Sequence, residues 1–132
     1  MSRFASRVKL IMLVCGALTC TMLTTALAPA RSMLSSFGEP LVGDAATLVV
    51  RSWGVLIVLV GAMLIYGAFV PVVRPLVLTV AGISKVCFVL LVLAQGARYL
   101  GQPIRVAVVT DSIMVLLFAL CLVAERSTRS RT

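Results

Sequence analysis

Histidine is absent from this sequence and carboxylates are scarce, with only four Asp and Glu against twelve Lys and Arg. Without imidazole, a single chain cannot build the usual zinc site, a histidine-ligated haem or a His-based nucleophilic triad. Cysteine is present but unpaired: Cys15, Cys20, Cys87 and Cys121 form no Cys-x-x-Cys and all lie in apolar stretches. Packing is their expected role, because a reactive thiol needs an electropositive and accessible setting. No catalytic residue, metal ligand set or cofactor-binding motif stands out. What fills the chain instead is apolar residue, 61% of it against 12% charged.

Those apolar residues are gathered into four runs at about 10–28, 53–73, 76–95 and 106–124. Each is close to the ~20 residues that a helix rising ~1.5 Å per residue needs to cross a ~30 Å hydrocarbon layer. One domain spanning 1–132 follows, an all-α four-helix transmembrane bundle. The first run has a rival reading: basic residues, an apolar core and Ala26-Leu27-Ala28 resemble a cleavable secretory signal. The run exceeds the ~7–15 residues of a signal core, which favours a retained span.

The formal charge of +8 would suggest nucleic acid in a soluble protein. Here the basic residues flank membrane runs, where they set topology and meet anionic head groups, so no nucleic-acid partner is expected. Placing both termini in the cytoplasm puts seven basic residues inside: Arg3, Arg7, Lys9, Arg74, Arg126, Arg129 and Arg131. Four lie outside, Arg31, Arg51, Arg98 and Arg105. This bias predicts an N-in, C-in protein of a bacterial inner membrane.

Small residues mark the packing faces. Gly16, Cys20, Thr24 and Ala28 recur every fourth position, and Gly54 and Gly61 are seven apart. Lipid tails are as apolar as leucine, so membrane helices associate by close backbone approach, which small residues permit. The faces serve either the bundle itself or contacts in a homo-oligomer or larger membrane complex. In the first outer loop, residues 31–37 are predicted to form a short interfacial helix presenting Met33, Leu34 and Phe37. Asp44 is the expected N-cap of the second span.

Lys85 falls at the middle of the third run, near the bilayer midplane, where an unpaired charge costs at least ~2.5–3.5 kcal/mol. Asp111, at similar depth in the fourth run, is its best counter-charge, and Ser84, Thr110 and Ser112 are candidates to complete a polar cluster. Arg51 is a second candidate partner for Asp111. Asp111 cannot itself cap a helix, since the remainder would be too short to span. Two roles fit such a pair: structural fixing of register, or a proton or ligand site.

Leu48-Val-Val-Arg51-Ser-Trp-Gly54, Gly82-Ile-Ser-Lys85 and Thr110-Asp111-Ser112, in this order on four spans, resemble the DoxX-like group of small four-helix membrane proteins. The resemblance implies the four-helix architecture and, for some members of that group, association with quinol-linked oxidoreductases. Small multidrug exporters are of similar size but carry an embedded Glu in helix one, and four-helix thiol oxidoreductases carry Cys-x-x-Cys; this chain has neither. The function expected is that of a non-catalytic accessory or lipid- or partner-binding subunit. A small transporter or channel component using Lys85 and Asp111 is the alternative, and a subunit of a quinone-linked oxidoreductase a third.

Overall fold

The computed structural model describes residues 3–131. Six α-helices follow one another: α1 (Arg3–Cys20), α2 (Leu23–Leu27), α3 (Pro29–Phe37), α4 (Asp44–Phe69), α5 (Arg74–Ala94) and α6 (Ile104–Arg129), and no strand occurs among the described residues. Four stretches are long and apolar enough to cross a membrane: α1 with α2, α4, α5 with the 3-10 turn before it, and α6. In none of them is more than 33% of the apolar stretch buried inside the chain. Leucines and valines such as Leu59, Val109, Leu120 and Val123 therefore point outward, as lipid-facing residues do. The chain is a small integral membrane protein with the architecture of an all-α four-helix bundle.

The spans associate as two antiparallel pairs, α1–α2 on α4 and α5 on α6. One end of the bundle carries both described chain ends and the α4–α5 turn, and will be called the terminal half. The other, the loop half, carries α3 and the α5–α6 connection. The two pairs close on each other in the terminal half, where Val8, Met12, Leu64, Leu78, Ala81 and Phe118 form one core. Contact between α1 and α6 is sparse compared with contact within each pair. The halves are thus packed differently.

Glycines set the α1–α4 crossing. A Cβ on Gly16 would lie 2.9 Å from the Gly61 carbonyl oxygen, and one on Gly61 would lie 2.7 Å from Cys20 Sγ. Cys20 also directs its thiol at the Val58 carbonyl. The stripe therefore works within the chain at Gly16 and Cys20, and Gly54 meets the Ala26 backbone in the same way.

Thr24 departs from that expectation. Backbone bonds Thr21 N–H to Leu18 O, Met22 N–H to Thr19 O and Thr25 N–H to Met22 O are all of the i to i−3 kind. This tighter winding separates α1 from α2 and advances the phase of every later residue. Thr24 is carried to the exposed face, its hydroxyl donating to Thr21 O, while Thr25 and Ala26 turn inward. The four-residue repeat continues only as far as the winding is α-helical.

Other boundaries shift for local reasons. Gly43, not Asp44, is the N-cap of α4, with φ 95°, and Asp44 opens the first turn, where a carboxylate suits the helix dipole. Chain direction changes at Val70-Pro71, so the second span ends at Phe69 rather than 73. α6 runs on to Arg129 instead of stopping at 124. The loop helix α3 has Pro29 in its first turn and stops at Gly38, whose φ of 71° suits a left-handed C-cap. Met33 and Phe37 are half-buried on it, and Leu34 is exposed.

Candidate functional site

Lys85 projects from α5 toward α6, and its Nζ donates to Asp111 Oδ1 at 2.7 Å. The lysine side chain is 8% exposed and the carboxylate 18%, so Asp111 is the more open partner. Both line a cavity of about 630 Å³ in the loop half, walled by all four spans. Its walls are mostly apolar: Leu18 and Met22 from the first span, Leu56, Ile57 and Val60 from α4, Phe88 and Leu91 from α5, Val106, Ala107 and Met114 from α6. Lys85 and Asp111 are the only charged residues among its walls.

The cavity exists because the two helix pairs close only in the terminal half. Across the gap, Trp53 of α4 stacks on Phe88 of α5 with ring centroids 6.2 Å apart and planes inclined by 26°. Offset aromatic contacts of this kind add specific attraction beyond area burial. Phe88 lies three residues after Lys85, which puts both on one face of α5. Trp53 thus lines an internal wall as well as sitting toward a span end.

The polar residues expected around the pair divide. Ser84 and Thr110 line the same cavity, and neither hydroxyl is hydrogen bonded within the described chain. Ser112 does not join them: its hydroxyl donates to Val108 O at 2.7 Å, and it borders a separate depression with Val86, Val89 and Leu116. One residue past Asp111 is about 100° around the helix, which turns Ser112 to the other side. Arg51 is exposed and forms no ion pair with Asp111. Thr19, which had not been singled out, is buried at the cavity wall and spends its hydroxyl on Cys15 O at 2.7 Å. Cys87 also borders the cavity, whereas Cys15 and Cys121 belong to the core.

A second buried cation went unread in the sequence. Arg74, which falls between the second and third apolar runs among the inside basic residues, is 6% exposed. Its Nε donates to Gly67 O at 3.2 Å and its Nη2 to Ala68 O at 3.0 Å, while Nη1 lies 3.6 Å from Glu125 Oε1. The guanidinium therefore satisfies the last carbonyls of α4 and ties them to α6. The visible signal was the short α4–α5 turn, which folds an Arg at its end back on the helix just completed.

In the loop half, Arg98 pairs with Glu39, Tyr99 donates its hydroxyl to Glu39 Oε1 at 3.1 Å, and the Tyr99 ring meets Phe37 edge-on at 5.3 Å. These contacts fasten the first loop to the α5–α6 connection at the far end of the bundle. Comparison with protein-family models, with curated proteins and with solved structures found no match for this chain.

Proposed function

We propose that this is a non-catalytic membrane protein that holds a lipid-like molecule in its intramembrane cavity, as a binding or accessory subunit. The observation that carries the reading is the apolar chamber of about 630 Å³ with a single buried ion pair in its wall. Ligand sites commonly have this volume and this division, apolar walls with a few placed polar groups. With its ammonium already held by Asp111 at 2.7 Å, the pair is suited to orient and anchor a guest.

Trp53 supplies the test, being the only tryptophan and part of the cavity wall. Brominated single-chain amphiphiles added to the protein in vesicles should quench it saturably. Ala107→Phe, which fills the chamber, should remove the saturable part. Quenching that rises without saturation and is the same in Ala107→Phe would overturn the reading.

Kinship with the DoxX-like group is kept as a proposal, supported by Lys85 and Asp111, which two of its three short motifs contribute and which meet at 2.7 Å. The N-in, C-in orientation in a bacterial inner membrane is likewise proposed from the excess of basic residues at the terminal half. Reporter fusions after Arg126 should read cytoplasmic and fusions at Gly38 external; a cytoplasmic Gly38 reporter would reverse the orientation.

A further inference from the structure

The Lys85–Asp111 pair is uncharged as a whole but not saturated. An ammonium has three N–H donors, and one is given to Asp111 Oδ1. Asp111 Oδ2 accepts no hydrogen bond from the described chain. Spare donors and a spare acceptor thus stand side by side on the wall of an apolar chamber, with the free hydroxyls of Ser84 and Thr110 along the same wall. From this we infer that the ligand is a single-chain amphiphile whose head group is uncharged and both donates and accepts, as an alcohol does. The inference rests on the cavity-binding reading above.

Three considerations lead there. The cavity opens at the bundle surface, where its walls Leu56, Leu91 and Val106 are themselves exposed, and its volume of about 630 Å³ accommodates one alkyl chain with a small head. A charged head would leave net charge in a water-poor site whose two charges already cancel, and its desolvation would go uncompensated. A purely apolar guest would leave the spare Nζ and Oδ2 positions unanswered, whereas a hydroxyl can accept from the first and donate to the second.

The experiment compares ω-brominated dodecanol, dodecyl sulfate and dodecyltrimethylammonium as quenchers of Trp53 in phosphatidylcholine vesicles. Each is corrected for its own partitioning, and Ala107→Phe serves as the blank. The alcohol should bind roughly tenfold or more tightly than either ion. In Lys85→Met/Asp111→Leu that preference should vanish while saturable quenching survives. If all three bind the wild type equally, or an ion binds best, the head-group inference falls and the binding reading stands. A preference that persists in the double variant also overturns it, since another group would then be reading the head. If none of the three quenches saturably, both readings fall. Should the double variant fail to fold, the wild-type ranking alone still decides the inference.

Discussion

Arg74 and Lys85 sit eleven residues apart on one helix, are both 6% exposed, and both face a carboxylate from α6. By burial and pairing they look alike, yet their surroundings differ. Arg74 lies at a helix end against the closed core, with two N–H donors given to Gly67 O and Ala68 O and the Glu125 carboxylate 3.6 Å away. Lys85 has Asp111 alone and borders unfilled volume. A buried cation that closes helix-end carbonyls inside a packed core holds a fold together. One with donors in reserve beside a cavity is placed to meet something else. The comparison separates structure from site in a chain where charge is rare.

Removing Arg74 should have the largest effect. Arg74→Met strands Glu125 at 17% side-chain exposure and leaves two helix-end carbonyls without donors, so a loss of about 3–5 kcal/mol is expected. Glu125→Gln should cost only about 1 kcal/mol, because the carbonyl bonds survive and the ion pair is long at 3.6 Å. Equal losses for the two, measured by reversible unfolding in detergent, would show that Arg74 acts through Glu125 and not through α4.

Lys85 and Asp111 should break more gently and recover more fully. The amide oxygen of an asparagine can still accept from Lys85 Nζ, so Asp111→Asn should cost about 1–3 kcal/mol. Among the described residues each is the other's only hydrogen-bond or ion-pair partner. Replacing both, Lys85→Met with Asp111→Leu, should therefore regain most of that loss, which a double-mutant cycle reads directly. The corresponding double at Arg74 and Glu125 should not recover, since the Gly67 and Ala68 carbonyls still lack donors. Equal recovery at both sites would erase the distinction between them.

Hydropathy made the four spans legible, because apolar runs of about twenty residues have few other uses. Depth alone brought Lys85 and Asp111 together on paper, since two opposite charges at one level of a membrane seldom stay apart. The Arg74–Glu125 contact was hidden because the tail after residue 124 is polar and reads as a loop, whereas α6 carries its register on to Arg129. Thr21 and Met22 are not helix breakers, so nothing in the stripe announced the tighter turn that expels Thr24. The cavity had no local signature at all. It arises from two helix pairs that close at one end, and no single segment records how pairs diverge.

The smallest expected effect concerns two glycines. Gly16→Ala would place a Cβ 2.8 Å from Ile65 Cγ1 and 2.9 Å from the Gly61 carbonyl, and a backbone oxygen cannot swing away as a side-chain end can. α1 and α4 must then part slightly, at about 1–2 kcal/mol. Gly82 lies on α5 between Arg74 and Lys85, and a Cβ there meets nothing within 4 Å. Gly82→Ala should therefore stabilise the protein by up to about 1 kcal/mol through helix propensity alone. It should also leave the quenching of Trp53 by dodecanol unchanged and add to the effects of Arg74→Met and Asp111→Asn without coupling. If Gly82→Ala instead weakened dodecanol binding, or changed the cost of losing either cation, α5 would be transmitting strain between its two charged positions. Arg74 and Lys85 would then be parts of one device rather than a clamp and a separate site.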